Sequence, residues 1–376
     1  MQTLLEKHDI DPNSIGRLEV GTETVIDKSK SVKTSLMSLF PTNPHIEGVD
    51  TINACYGGTS ALLNAIQWME SPFWDGRNAI VVAGDIAVYE PGPARPTGGV
   101  GCVAMLITPN APLRLGTPRG THVENVYDFY KPYHDNEFPA VDGHLSNDCY
   151  IRALDSCAAR YAAAFAKANG KPFSIDDFDF MAFHSPYAKL VQKSYARFVF
   201  LDAVLHPAKY PKSAMLPFAD KPLSSTYSNR DLFAAATTES AERYKRSVLP
   251  TLTLSKHTGN SYCGSLYFCL QSLLAESAPA ALSGKRVGMF SYGSGLAATL
   301  FSFAAGDVSR VTDRSVIARL KQRVESSPQE FTDALAQRAA MYGKPSFKPT
   351  LTHEPFKGTY VLTEIDALYR RHYTRV

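Results

Sequence analysis

The order of predicted strands and helices in the first half of the chain returns in the second half. In the first half, apolar runs predict strands at residues 15–20, 48–54, 79–83 and 98–107, and helical spacing predicts helices at 31–40 and 59–69. In the second half, the corresponding predicted strands are residues 178–183, 252–255, 286–290 and 293–301, and the corresponding helices are 187–202 and 265–274. Three strand-turn-helix units in the same order favour an internal duplication over a chance likeness.

The alternation of strands and helices predicts an α/β protein. The continuous apolar run at residues 79–83 is typical of a strand that is buried on both faces. We place the boundary between the halves in the loop region, giving an N-terminal half of residues 1–125 and a C-terminal half of residues 126–376. The polar, aromatic stretch 127–148 and the irregular stretch 207–230 are interpreted as insertions that shape a pocket mouth or form plain surface loops.

Composition and charge exclude several classes of function. Across 376 residues, 39 Lys and Arg against 36 Asp and Glu leave a net charge of +3, which gives no footprint for nucleic acid. No apolar stretch reaches the roughly 18 residues of a membrane helix. The six cysteines have no paired spacing and the N-terminus has no leader pattern, so we expect reduced thiols and a cytoplasmic location.

Cys55 is the candidate nucleophile. It follows an apolar strand and precedes Tyr-Gly-Gly-Thr-Ser, which opens a predicted helix. Backbone N–H groups of a first helical turn favour a thiolate, so we expect a lowered pKa for this thiol. The two glycines permit close approach of a substrate to the backbone. The competing interpretation is an inert, buried cysteine that only packs.

Three further polar residues are predicted to converge on Cys55. Glu23 follows the strand at 15–20, and His184 follows the strand at 178–183. When the two halves are compared, Asn260 occupies the position in the second half that corresponds to Cys55. A two-fold related pair of halves brings such strand ends to one cleft, where these groups suit acyl transfer. Taken singly, Glu23 better fits an N-cap or solvated loop acid, and His184 better fits a hydrogen-bonded core histidine.

Other motifs give weaker signals. Lys189 and Lys193 are four residues apart on one helix face, which suits a phosphate-bearing ligand or, more commonly, solvent. The glycines at 98–99 and 293–295 match neither the P-loop pattern nor the dinucleotide-binding pattern. No cluster of His, Cys, Asp or Glu has the spacing of metal ligands, so we predict no metal.

Seven motifs in one order resemble the eukaryotic 3-hydroxy-3-methylglutaryl-CoA synthases. They are residues 16–24 (GRLEVGTET), 53–58 (NACYGG), 83–89 (AGDIAVY), 94–101 (ARPTGGVG), 127–132 (YDFYKP), 183–187 (FHSPY) and 290–298 (FSYGSGLAA). The resemblance implies a thiolase-like fold of five αβαβα layers with duplicated halves. It also implies condensation of acetyl-CoA, acetoacetyl-CoA and water to 3-hydroxy-3-methylglutaryl-CoA and CoA in the mevalonate route to isoprenoids and sterols.

The resemblance assigns roles residue by residue. Cys55 takes the acetyl group, Glu23 is the general acid–base, and His184 orients the acetoacetyl thioester. The remaining assigned positions line the pocket or bind substrate: Asp85, Thr97, Lys189, Lys193, Asn260, Ser291 and Tyr292. CoA thioesters are then substrates, no cofactor is implied, and a homodimer is expected.

The chain departs from the family pattern at its start. Family members have an additional strand and helices before residues 16–24, so we expect the first βα unit of the N-terminal half to be missing. Two alternatives therefore stay open beside the synthase. One is a related thiolase-fold ketoacyl synthase, and the other is a CoA-binding homologue that is inactive because this unit is missing.

Overall fold

The computed structural model describes residues 1–351 and 353–376. In chain order, its strands are β1 Ile15–Gly21, β2 Asp50–Thr51, β3 Asn78–Ala87, β4 Gly99–Ile107, β5 Leu113–Leu115, β6 Gly120–Val123, β7 Phe129–Tyr130, β8 Ala140–Val141, β9 Phe180–Phe183, β10 Arg286–Gly293, β11 Ala297–Ala305, β12 Tyr360–Ile365 and β13 Arg371–Arg375. Its helices are α1 Gln2–Lys7, α2 Val32–Leu36, α3 Gly57–Met69, α4 Gly143–Asn169, α5 Ala188–Leu205, α6 Arg230–Ser247, α7 Thr253–Thr258, α8 Ser265–Glu276, α9 Pro279–Leu282, α10 Ser315–Lys321 and α11 Pro328–Met341. These elements confirm the predicted α/β class.

Two mixed sheets form the centre of the molecule. The first has the order β2-β1-β3-β4, with β1 parallel to β2 and β3, and β4 antiparallel to β3. The second has the order β5-β11-β10-β9, with β9 parallel to β10, and β11 antiparallel to β10. Both sheets thus contain a parallel pair followed by an antiparallel strand. The shared pattern agrees with the predicted duplication, which itself stays a prediction.

Helices cover both faces of each sheet. The alternating side chains of β3 show this, since Ile80 and Val82 belong to an outer cluster with α1 and α2. Ala79, Val81 and Ala83 point the other way, into the large core that also contains α3 and α8. The helix α8 contacts strands of both sheets, while α4 packs on β6 and β11. Period-two alternation therefore buries the apolar run 79–83 on both faces, as predicted.

The second sheet continues one strand further than the first. Strand β11 pairs with β5 and β6 on the side away from β10. Among the described residues, β4 has a partner only on its β3 side. A groove of 880 Å³ lies beside this free edge and is lined mainly by apolar side chains of α3, α8 and β4. No described helix is both long enough and apolar enough to span a membrane.

Three local predictions are wrong. The predicted strand at 252–255 is helical, because Pro250 starts a 3-10 turn and the Ser272 hydroxyl accepts the Leu254 N–H at 2.9 Å. The predicted strand at 48–54 shrinks to Asp50–Thr51, whose Asp50 carboxylate instead accepts the N–H groups of Val32 and Lys33. The predicted strand at 293–301 begins later, at Ala297.

Glycine permits the close packing of α3 on β1. A Cβ on Gly21 would lie 2.3 Å from the Cα and the N of Gly58. We therefore expect Gly21→Ala to lower the free energy of unfolding by about 1–3 kcal/mol through overpacking. Urea denaturation measures the change. Gly143→Ala is the matched control, because its Cβ meets nothing within 4 Å; equal midpoints for the two variants would contradict the packing argument.

Candidate active site

Cys55 lies in a turn between β2 and α3. Its φ of 54° is in the left-handed region, which a residue with a side chain rarely adopts. Neighbouring glycines make room for the turn, since a Cβ on Gly293 would lie 1.8 Å from the Ala54 carbonyl oxygen. A Cβ on Gly57 would lie 2.6 Å from the Thr51 oxygen. The surrounding backbone therefore holds Cys55 in a strained conformation at the start of a helix.

Parallel pairing brings Glu23 to Cys55. In the pairing of β1 with β3, Gly21 lies opposite Ala83, so the chain beyond β1 continues beside Asp85. Glu23 is buried at 8% exposure. Its Oε2 accepts the Cys55 backbone N–H at 2.7 Å, and its Oε1 lies 2.8 Å from the Lys131 Nζ. The predicted convergence of Glu23 and Cys55 agrees with this geometry.

Asp85 on β3 joins the segments around the site. Its Oδ1 accepts the Thr22 hydroxyl at 2.6 Å and the Glu23 N–H at 2.7 Å. The same oxygen accepts the Thr24 N–H and hydroxyl at 2.9 and 2.8 Å. Its Oδ2 accepts the Cys263 N–H at 2.9 Å, just before α8. Asp85 is thus a positioning residue that fixes the Glu23 loop against the second half.

His184 lies at the end of β9, beside β10. Its N–H donates to the Phe290 carbonyl at 2.8 Å, and its own carbonyl accepts the Tyr150 hydroxyl at 2.6 Å. The side chain is 2% exposed, and its Nδ1 has no hydrogen-bond partner among the described residues. Burial lowers the pKa of His184 to about 3. The imidazole is therefore neutral, with one ring N–H to donate.

The Asn260 side chain lies buried before α8. Its Oδ1 accepts the Tyr262 N–H at 2.9 Å, and its side chain also hydrogen-bonds Tyr89. The backbone N–H of Asn260 donates to the Thr97 carbonyl at 2.9 Å. Tyr262 also has a positive φ, of 43°, so this residue matches the backbone of Cys55 more closely than Asn260 does.

Ser291 and Tyr292 support the site through other side chains. The Ser291 hydroxyl accepts from Thr59 of α3 at 2.7 Å. The Tyr292 hydroxyl donates to Asp128 at 2.7 Å, and its ring lies 4.8 Å from that of Tyr150, which contacts His184. Ser291 thus connects β10 to the helix that follows Cys55, and Tyr292 connects β10 to the Tyr150 ring beside His184.

Two predicted binding residues point away from this cluster. Lys189 is exposed and donates to Gln192 of its own helix at 3.1 Å. The Lys193 Nζ lies 4.8 Å from the ring centroid of Phe233 on α6. Within residues 1–351 and 353–376, no contact joins either lysine to Cys55, Glu23 or His184. Their assignment to substrate stays a prediction.

Electrostatics at Cys55 oppose the expected thiolate. Burial and then the Glu23 and Asp85 carboxylates raise the pKa of Cys55 well above its ordinary value, while Lys131 acts in the opposite direction. The expectation of a lowered pKa is therefore wrong, because burial and two neighbouring acids outweigh the first helical turn. Burial also raises the pKa of Glu23, with Lys131 opposing and Asp85 assisting the shift.

Residues missed by the sequence reasoning complete the site. Lys131 pairs with Glu23, and an aromatic cluster of Tyr89, Phe129 and Tyr262 packs against Cys55. Lys131 and Phe129 belong to the motif at 127–132, but the roles that the resemblance implies do not include them. Their only local signal is a lysine between aromatic residues in a predicted insertion.

One cluster has the composition of a metal site. Single ligand atoms of Glu23, Asp85 and Cys263 lie within 4.8 Å of one another. The Asp85 oxygens already accept five donors, and the Lys131 ammonium faces Glu23. These contacts identify a hydrogen-bond network with its own cation, which does not suit an added metal ion. The prediction of no metal stays a prediction.

Family models cover nearly the whole chain. A model described as Hydroxymethylglutaryl-coenzyme A synthase N terminal matches residues 1–112, and one described as Hydroxymethylglutaryl-coenzyme A synthase C terminal matches residues 116–376. Hydroxymethylglutaryl-CoA synthase A of Dictyostelium discoideum is 52% identical over 381 residues, covering 100% of this chain and 79% of the relative. The mitochondrial Hydroxymethylglutaryl-CoA synthase of Homo sapiens is 48% identical over 398 residues, covering 100% and 78%.

Solved structures give the same likeness. MvaS in complex with 3-hydroxy-3-methylglutaryl coenzyme A has a TM-score of 0.84 and 31% identity, covering 99% of this chain and 84% of that chain. An HMG-CoA synthase complexed with CoA has a TM-score of 0.72 and 24% identity, covering 97% and 83%, and shows the fold alone. The thiolase-like architecture expected from the sequence is confirmed by these neighbours.

Cys55 is expected to react slowly with iodoacetamide at neutral pH, because its raised pKa leaves little thiolate. Replacement of the exposed Cys102 by Ser removes the competing surface thiol. In that background, Glu23→Gln removes a charge that opposes the thiolate. We expect faster alkylation, by up to about 10-fold, the change that one pKa unit produces. Mass spectrometry of labelled Cys55 over a pH series measures the rate; a slower reaction in Glu23→Gln would contradict this electrostatic account.

Proposed function

Because this chain belongs to the hydroxymethylglutaryl-CoA synthase family, we propose that Cys55, Glu23 and His184 condense acetyl-CoA with acetoacetyl-CoA and water. The products are 3-hydroxy-3-methylglutaryl-CoA and free CoA, so the protein is an acyl-transferring enzyme. The observation that carries the role of the residues is the 2.7 Å hydrogen bond from the Cys55 N–H to Glu23 Oε2. This contact supports the proposal because it holds the Glu23 carboxylate against the residue that we propose carries the acetyl group.

The first step transfers the acetyl group to Cys55. The sulfur attacks the acetyl-CoA carbonyl, a new S–C bond forms, and the bond to the CoA sulfur breaks. The thiol proton ends on the departing CoA sulfur, so a protonated resting Cys55 fits the overall exchange.

The second step forms the carbon–carbon bond. The Glu23 carboxylate removes a proton from the methyl group of acetyl-Cys55, and the resulting carbanion attacks the ketone of acetoacetyl-CoA. The proton held by Glu23 then neutralises the new alkoxide. The neutral His184 donates its ring N–H to the acetoacetyl thioester and orients it, and Asn260 lines the same pocket.

The third step releases the product. Water attacks the thioester that links the condensed acyl group to Cys55, the S–C bond breaks, and the thiol is restored. The CoA thioesters are the substrates throughout, and the proposal needs no bound cofactor. We propose that the product supplies the mevalonate route to isoprenoids and sterols.

The proposal also includes assembly and location. We propose a homodimer, which sedimentation of the purified protein at several concentrations tests; a single monomeric species throughout would contradict it. We propose a cytoplasmic location, supported by six cysteines that are all free thiols. The mitochondrial relatives make the mitochondrion the alternative compartment.

The chemistry separates two variants. Cys55→Ser is expected to lose both acetyl transfer and CoA-releasing condensation. Glu23→Ala is expected to keep the acetyl group on Cys55 but to lose condensation by roughly 10²–10⁴-fold, because the base is gone. Intact-mass measurement detects acetylation, and a thiol assay follows CoA release from acetyl-CoA plus acetoacetyl-CoA. Cys102→Ser is the matched control and should keep both activities.

Three outcomes would contradict the proposal. Full condensation by Cys55→Ser would remove Cys55 from the mechanism. Binding of CoA by the unaltered chain without acetylation would identify a CoA-binding homologue instead. Turnover that depends on acyl-carrier protein and ignores acetoacetyl-CoA would identify a ketoacyl synthase.

A further inference from the structure

We propose that Lys131 is a positioning residue for Glu23, holding one carboxylate oxygen so that the other stays at Cys55 and the carboxylate stays ionised. The inference rests on the proposed function, in which Glu23 is the base. It goes beyond that function because it proposes that a lysine from another part of the chain keeps the base ionised.

The ion pair is well enclosed. The Lys131 Nζ lies 2.8 Å from Glu23 Oε1, and the two side chains are 22% and 5% exposed. The ammonium also lies 4.9 Å from the ring centroid of Tyr262 and 6.0 Å from that of Phe129. Aromatic faces attract a cation and keep water away from it. Enclosure therefore makes this pair stronger than a surface ion pair.

Lys131 is delivered by an anchored segment. It follows β7, which pairs with β8 through Phe129 and Tyr130. Asp128, just before β7, accepts the Tyr292 hydroxyl at 2.7 Å and the Gly295 N–H at 2.9 Å. The backbone on the N-terminal side of Lys131 is thus held by β10 and by the turn after it. A fixed backbone lets the long lysine side chain act as a directional support.

Several titratable groups face Glu23 from the elements around it. They are Lys131, Asp85, Cys55, Cys263, Tyr89 and Tyr262. Among them, Lys131 is the cation that opposes both burial and Asp85, each of which raises the pKa of Glu23. Burial acts to lower the pKa of Lys131, but Glu23 outweighs it and the pKa is raised, so the ammonium stays charged.

The direction of the effect follows from these signs. Without Lys131, only the hydrogen bond from the Cys55 N–H opposes burial and Asp85, and the carboxylate becomes protonated at a higher pH. A protonated Glu23 cannot remove a methyl proton. The rising limb of the pH–rate profile for kcat should therefore move to higher pH when the ammonium is removed, while acetylation of Cys55 should continue.

The test compares Lys131→Met with Lys131→Arg. We expect Lys131→Met to lower kcat at neutral pH by at least about 10-fold, but by less than the roughly 10²–10⁴-fold loss typical of removing the base. Its rising limb should move to higher pH, and Lys131→Arg should restore most of both. Lys285→Met, which removes an exposed pair with Asp179, is the matched control and should leave the profile unchanged.

A double variant separates positioning from folding. In a Glu23→Ala background, Lys131→Met should cause little further loss, because its target is absent. An equal loss in both backgrounds, or an unchanged kcat and pH profile in Lys131→Met, would overturn the inference.

A second readout does not depend on turnover. The carboxylic C=O stretch of Glu23, taken as an infrared difference against Glu23→Ala, follows its titration directly. Lys131→Met should move that titration to higher pH even if the unaltered chain fails to condense the two thioesters. That pairing of results would overturn the proposed function and support the ion pair, whereas an unmoved titration would overturn the inference itself.

Discussion

The carboxylate of Asp85 is the constraint on which the site depends. It accepts donors from the loop after β1 and from the turn before α8, so one side chain fixes segments from both halves of the sequence. Hydrogen bonds to a buried charge are stronger than neutral ones, and loss of the acceptor would leave several buried donors without partners. The position of Glu23 relative to Cys55 is therefore set by a residue that need not itself react.

Enclosure decides the charge of each reacting group. Burial keeps His184 neutral and, together with two acids, keeps the Cys55 thiol protonated. Burial also raises the pKa of Glu23, but there the Lys131 ammonium opposes the shift. A thiol and an imidazole without charge suit exchange between thioesters, where no net charge is created at sulfur. The paired carboxylate then supplies the one strong base that carbanion formation needs.

Local patterns predicted the parts of the fold that local forces decide. The strands at 15–20, 79–83 and 286–290 are confirmed, and the continuous apolar run at 79–83 is buried on both faces. The strand predicted at 252–255 was wrong, because the conformation of this segment depends on a hydrogen bond from its backbone to a hydroxyl of α8. The helix at Gly143–Asn169 received no prediction, although it is the longest of the described elements.

The same division applies to the site. Glu23, Cys55 and His184 were identifiable as residues that follow strands. The partnership of Lys131 with Glu23 joins positions far apart in sequence, and no local pattern encodes it. The expected direction of the Cys55 pKa shift was wrong for the same reason, because its burial and the Glu23 and Asp85 carboxylates that raise the pKa depend on other segments of the chain.

The hydrogen bonds that close the site span long stretches of chain. Asp85 and Cys263 are 178 positions apart, and Tyr56 and Thr299, whose hydroxyls lie 2.6 Å apart, are separated by 243. Such contacts close large loops and form only after much of the chain has ordered, so they come late in folding. The protein can therefore become compact before its reacting groups meet. Until then a newly made chain carries Cys55 without its neighbouring base, and competence for chemistry marks the end of folding.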